Sequence, residues 1–116
     1  FFAPYGLTDV QFNLMMMLKH HGGHTGLSQA RLSEMMLVNR ANITGLVDRL
    51  EKAGMVKRTA ADDRRYNMIQ LTQKGRKLLD KADADYGKKV QAVMGVLSKT
   101  DLKALIKACT KIRKNL

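Results

Sequence analysis

The stretch that decides the fold reads Asn39-Arg40-Ala41-Asn42-Ile43-Thr44-Gly45-Leu46-Val47-Asp48-Arg49-Leu50-Glu51-Lys52-Ala53-Gly54. Ile43, Leu46, Val47 and Leu50 recur at i, i+3, i+4 and i+7, one apolar stripe at helical period. Asn39 is a good N-cap, since its side-chain oxygen can accept a backbone N–H that the first turn leaves unpaired. Gly54 ends the helix. Burying the stripe exposes Arg40, Asn42, Thr44, Asp48, Arg49 and Lys52. Three of these, Arg40, Asn42 and Thr44, lie within about one turn. Arginine pairs bidentately with guanine and asparagine with adenine, and threonine offers a hydroxyl and a methyl. An exposed polar helix start also suits any protein in water, so the surroundings must decide.

Upstream, Ser28 caps a short helix running to about Met36, with Leu32, Met35 and Met36 on its apolar side. Leu37-Val38 turn the chain into Asn39. Two helices joined this tightly form a helix-turn-helix. Earlier still, Thr8-Asp9-Val10-Gln11 reads as a capping box. The helix it opens is apolar nearly all round from Val10 to Leu18, and is expected to be buried on most sides before Gly22-Gly23 stop it. Downstream of Gly54 the period falls to two. Residues 55–59 and 66–71 read as strands with Val56, Ile69 and Leu71 inward, and 60–65 form a hairpin tip. Thr72 caps a long helix with Leu78, Leu79, Ala82, Tyr86, Val90, Val93 and Leu97 along one side. Ser98-Lys99-Thr100-Asp101 opens a last helix with the stripe Leu102, Leu105, Ile106, Cys109, Ile112. The expected fold is mainly α with a small β-hairpin wing: a winged helix-turn-helix plus helical dimerisation elements. Its expected parts are a buried, dimer-side helix (1–24), a DNA-binding region (25–72) and C-terminal dimerisation helices (73–116).

Composition narrows the class. The chain has 116 residues, 45% of them hydrophobic, enough for one real core, but only 5% are aromatic and eight are Met. An aliphatic, Met-filled core suits packed helices. The formal net charge is +11 and is unevenly placed. Residues 1–38 balance, residues 39–77 carry ten basic and four acidic side chains, and residues 78–116 carry nine and four. A surplus that starts at the recognition-helix candidate points to a polyanion. In the last third, a solvated lysine-rich face explains it as well.

The hairpin tip carries Asp62-Asp63-Arg64-Arg65. Adjacent arginines repel each other, but a narrow minor groove attracts inserted Arg. The neighbouring carboxylates are expected to hold the planar guanidinium of Arg65 or Arg58 by paired hydrogen bonds, so that less entropy is lost on binding.

The run from Leu32 to Thr72 resembles the MarR family of bacterial regulators. The matching blocks are Leu46-Val47-Asp48-Arg49-Leu50-Glu51-Lys52, Gly54-Met55-Val56-Lys57-Arg58, Asp63-Arg64-Arg65, and Leu71-Thr72 with Gly75; Gly6 to Phe12 is also similar to the family. The resemblance implies that Ser28 and Gln29 approach phosphates and that Arg40, Asn42 and Thr44 lie on the recognition helix. It implies that Asp63 and Arg65 are the wing's orienting carboxylate and minor-groove arginine. It also implies a homodimer on double-stranded DNA and a small aromatic or phenolic effector. Arg49 and Arg64 complete the expected DNA-binding set, and Arg58 joins Asp63 as wing-orienting. Only Phe1 to Tyr5 stand where the family has a first helix, so the chain, which opens without Met, is read as a trimmed form.

Other signals are weaker. His20, His21 and His24 lack tetrahedral spacing and a nearby carboxylate or thiol. Cys109 sits on an apolar stripe and is expected to be a buried structural thiol, and as a lone cysteine it excludes an internal disulfide framework. No nucleophile elbow, phosphate loop or HExxH appears, so neither an enzyme nor a cofactor is expected. No apolar run approaches the roughly 18–20 residues that span a bilayer, which gives no membrane partner and a cytoplasmic location. The expected function is a sequence-specific transcriptional regulator, a repressor, on a pseudo-palindromic operator. The alternative is a basic winged-helix interaction or RNA-associated module without base readout.

Overall fold

In the computed structural model, residues 1–60 and 67–116 are described. The expected hairpin tip with Asp63, Arg64 and Arg65 lies outside the described residues. The chain falls into two compact units, Phe1–Asp83 and Ala84–Leu116.

The first unit opens with a 3-10 turn, Ala3–Tyr5, and helix α1, Asp9–His21, whose Thr8/Gln11 capping box is fully formed. A two-residue strand β1, Leu27–Ser28, leads into α2, Gln29–Met36, and α3, Arg40–Lys52. Strands β2, Val56–Ala60, and β3, Asn67–Leu71, follow, and α4, Gln73–Met94, contributes to both units. The sheet is antiparallel in the order β1-β3-β2, with Leu27 opposite Ile69 and Val56 opposite Leu71. Sequence periodicity misses β1, because two residues carry no period.

The core is aliphatic, as the composition requires. Leu14, Met15 and Leu18 of α1 meet Leu32 of α2, Ile43, Val47 and Leu50 of α3, and Leu79 and Ala82 of α4, all buried. Each large side chain contributes about 1.5–3 kcal/mol by leaving water. Phe2 stacks on Phe12 with ring centroids 4.1 Å apart, closing one end. α1 is less enclosed than expected: Val10 is exposed, and Met16 and Met17 are half-buried. Lys19 of α1 bonds Asp80 of α4 at 3.0 Å, which holds its ammonium pKa above the ordinary lysine value.

Two local devices fix the unit. At the turn between α2 and α3, Leu37 adopts the left-handed conformation (φ 55°, ψ 40°). Its N–H and that of Val38 both go to the Ser33 carbonyl, while the Ser33 hydroxyl donates to the Val38 carbonyl. At the base of the hairpin, the Thr72 hydroxyl donates to the Gly54 carbonyl (2.5 Å) and accepts the Gly75 N–H (3.0 Å). There α4 runs so close to the hairpin that a Cβ on Gly75 would stand 2.0 Å from the Met55 carbonyl oxygen. No side chain fits.

The second unit contains the remainder of α4 and helix α5, Lys99–Lys114, which starts at a complete Ser98/Asp101 capping box. Its apolar stripe is open in the single chain: Ile106 and Ile112 are 65% and 64% exposed. Cys109 is exposed too, against the expectation of a buried thiol, because nothing within the unit covers that stripe. On α4, Val93 is likewise exposed, and the helix stops at Met94, short of Leu97. Lys99, Lys103, Lys107 and Lys111 repeat every four residues and are all exposed.

Candidate nucleic-acid interface

α3 is opened by Asn39, whose side-chain oxygen accepts the Asn42 N–H at 2.9 Å. With Ile43, Val47 and Leu50 turned into the core, the rest of the helix is displayed in two flanks and an apex. One flank carries Arg40, Thr44, Asp48 and Glu51, the last two bonded to Arg58 of β2. The other carries Asn42 and Arg49, which border a shallow groove of about 670 Å³ shared with Val10 and Val38. Between the flanks, at roughly 100° per residue, lie Ala41, exposed, and Gly45, half-buried, and both also line that groove. A Cβ on Gly45 would meet nothing within 4 Å. A small-residue apex lets a helix backbone press deep into a groove while longer side chains reach from both sides. The sequence reading missed both Ala41 and Gly45, although the stripe arithmetic that placed Ile43 also places them opposite it.

Arg58 ties the hairpin to α3. It lies directly opposite Ile69 in the β2–β3 ladder and two residues from buried Val56, so strand alternation turns it toward the helices. Its Nη2 donates to Asp48 Oδ1 at 2.5 Å, its Nη1 to Glu51 Oε1 at 2.7 Å, and its Nε to Gln29 Oε1 at 3.4 Å. Its side chain is only 20% exposed, against 60% for Asp48 and 43% for Glu51. The carboxylates that hold Arg58 among the described residues therefore come from α3, where the sequence reading looked to the hairpin tip.

The remaining expected residues sort as follows. Ser28 caps α2 by accepting the Arg31 N–H (3.1 Å), and among the described residues its hydroxyl proton has no acceptor. Gln29 is half-buried and donates from Nε2 to the Thr44 hydroxyl at 2.9 Å. That hydroxyl in turn donates to the Arg40 carbonyl at 2.9 Å. Thr44 therefore has no proton left for a base, in contrast to the free reader that composition suggested. Arg40, Asn42 and Arg49 are exposed. Asp63, Arg64 and Arg65 lie outside the described residues. Among the described residues, no group of three or more His, Cys, Asp or Glu could hold a metal ion, and no helix is long and apolar enough to cross a membrane.

A helix-turn-helix with a braced two-stranded hairpin behind it defines a winged helix-turn-helix protein. Residues 5–65 match the profile of the MarR family. The HTH-type transcriptional regulator YhbI of Bacillus subtilis (strain 168) is 33% identical over 112 residues, covering 96% of this chain and 71% of the relative. The chain superposes on the S. aureus MepR–DNA complex with a TM-score of 0.88 at 22% identity, covering 99% of this chain and 84% of that one. It superposes on CouR from Rhodococcus jostii RHA1 bound to p-coumaroyl-CoA with a TM-score of 0.78 at 25% identity, covering 96% and 76%. The chain belongs to the MarR family of transcriptional regulators, which are not enzymes. It spans between 41% and 72% of the length of six curated regulators that it matches.

Proposed function

We propose that the chain is a sequence-specific DNA-binding repressor of the cytoplasm that grips a pseudo-palindromic operator as a homodimer. The observation that carries this is the capped, two-flanked start of α3, with Arg40 on one side, Asn42 and Arg49 on the other, and a small-residue apex between them. Ser28 at the start of α2 stands near phosphates in this reading, and Arg64 and Arg65 of the wing reach the minor groove. The DNA complex of the S. aureus relative supports the mode of binding. The exposed apolar stripe of α5 supports a second copy as its cover, because a two-fold interface joins the same patch to itself and single chains rarely leave such a stripe in water. A small aromatic or phenolic effector relieves binding; the p-coumaroyl-CoA held by CouR supports that ligand class, and the groove beside Asn42 and Arg49 offers apolar contacts from Val10, Val38 and Leu46.

Selection from a randomised duplex library tests the reading. The expected product is a two-fold symmetric site with half-sites about 10–10.5 base pairs apart, centre to centre. On it, Arg40→Ala or Asn42→Ala costs about 1–3 kcal/mol, with little change on random duplex. Equal losses on both would confine these residues to phosphate contacts. Equal binding of the parent chain to random duplex and hairpin RNA would favour a basic winged-helix module without base readout.

A further inference from the structure

Gln29 joins three elements with one carboxamide. It sits on the first turn of α2, its Oε1 accepts from Arg58 Nε of β2, and its Nε2 donates to the Thr44 hydroxyl of α3. Thr44 is fixed on its far side by the Arg40 carbonyl, and Arg58 by Asp48 and Glu51. The chain of bonds therefore runs from the Arg40 backbone, through Thr44 and Gln29, to Arg58 and back to α3. Every atom along it has the correct donor or acceptor character. Among the described residues, the second N–H of Gln29 has no acceptor, and Thr44 keeps only its methyl and one lone pair.

We propose that Gln29 is a positioning residue: its carboxamide couples the hairpin strand to the recognition helix, and Thr44 acts on DNA through Gln29 rather than on a base. This rests on the reading of α3 as the recognition helix. A phosphate ligand at position 29 would strengthen binding to every duplex alike, since phosphates carry no sequence. A positioning residue acts on the site that needs α3 and the hairpin in one register. Random duplex, which tolerates many registers, barely senses it.

The test measures affinities of four proteins, the parent, Gln29→Ala, Thr44→Val and the double variant, on a duplex selected by the parent and on random duplex. Each single variant is expected to lose about tenfold on the selected duplex and less than about twofold on random duplex, and the double variant to lose no more than either single, since both break one connected network. Melting midpoints should stay within about 3 °C of the parent, because only exposed or half-buried groups change. Equal losses by Gln29→Ala on both duplexes, or a double variant weakened about a hundredfold as independent contacts multiply, overturns the proposal. The Arg58 Nε–H resonance of the DNA-free protein gives a second reading that needs no operator. It should move in Gln29→Ala and also in Thr44→Val, although hydrogen bonds among the described residues join Thr44 to Arg58 only through Gln29. A resonance unmoved by Thr44→Val overturns the coupling. A parent that prefers no duplex overturns the proposed function and leaves this second reading to decide the coupling.

Discussion

Arg58 on the hairpin reaches Asp48 on α3, its Nη2 2.5 Å from the carboxylate, with Glu51 completing the clamp at 2.7 Å. The trio carries one net negative charge beside a helix proposed to enter DNA. Arg58→Ala leaves two unpaired carboxylates there, so binding should weaken on selected and random duplex alike, and steeply at low salt where screening is least. Asp48→Asn removes one negative charge and retains an acceptor. It should cost no more than about 1 kcal/mol of stability, because the Asp48 side chain is 60% exposed and Glu51 still holds Arg58. It should also tighten binding to random duplex slightly. Salt titrations of both variants check the signs; a tighter-binding Arg58→Ala would show that the clamp does not shield the DNA from these carboxylates.

Gly75→Ala should destabilise the first unit. The added methyl carbon would stand 2.0 Å from the Met55 carbonyl oxygen, a backbone atom with no freedom to swing away. The expected cost is about 1–3 kcal/mol or more, as for other overpacked sites. Urea denaturation measures it. An unchanged midpoint would mean that α4 can shift away from the hairpin base without penalty.

Gly45→Ala should do the reverse to stability. Position 45 lies inside a helix with open space around the missing Cβ, so alanine gains about 0.5–1 kcal/mol from reduced backbone entropy. If α3 presses its apex to the groove floor, the same methyl should weaken the selected duplex and leave random duplex unaffected. A variant that is more stable and binds both duplexes as before would place the apex clear of the bases.

At the wing, simple electrostatics and orientation oppose each other. Asp63→Asn removes a charge that repels phosphate, but frees the arginine that the resemblance pairs with it. Orientation should win, since a surface charge is screened beyond roughly 8 Å whereas a paired guanidinium is fixed at short range. Asp63→Asn and Arg65→Ala should therefore both weaken the selected duplex, and Arg65→Ala should lower the salt slope by about one counterion unit. Tighter binding by Asp63→Asn would make that carboxylate a bystander.

Replacing Ile106, 65% exposed on the open stripe of α5, with glutamate should convert a dimer to monomers without unfolding the chain. At a two-fold interface the substitution would place two desolvated charges in every dimer. Sedimentation across a concentration series checks it. A parent that stays monomeric at every concentration sinks the proposed assembly.

The helices were legible in the sequence because each begins with a side chain that can accept a backbone N–H and then shows an unbroken apolar stripe. Thr8, Ser28, Asn39 and Ser98 all cap as expected. Strand β1 was not legible, since its pairing with Ile69 and Met68 depends on chain some forty residues away. The site was half legible. The exposure of Arg40, Asn42 and Arg49 follows from where Ile43 and Val47 must go. The engagement of Thr44 depends on Gln29 arriving from another helix, which local periodicity cannot show. Arg58 lies between the two cases. Its phase with Val56 predicts an inward side chain, but the carboxylates of Asp48 and Glu51 that meet it there come from another element, which local pattern does not place beside it.

The turn at Leu37 is a weld rather than a hinge. The Ser33 carbonyl takes two N–H groups and its hydroxyl returns to Val38, which locks the turn to the end of α2, while the Gln29–Thr44 bond and the shared core of Leu32, Ile43 and Val47 tie α2 to α3. In the dimer proposed above, each copy would therefore offer the duplex a single stiff plug, phosphate-facing helix and base-facing helix together. Stretching or compressing the interval between half-sites could not be absorbed inside either plug. The strain would fall outside the plugs, on the chain that leads from each one and on the joint between the two copies, and the protein would gauge operators like a caliper, by the distance between their halves as well as by their letters.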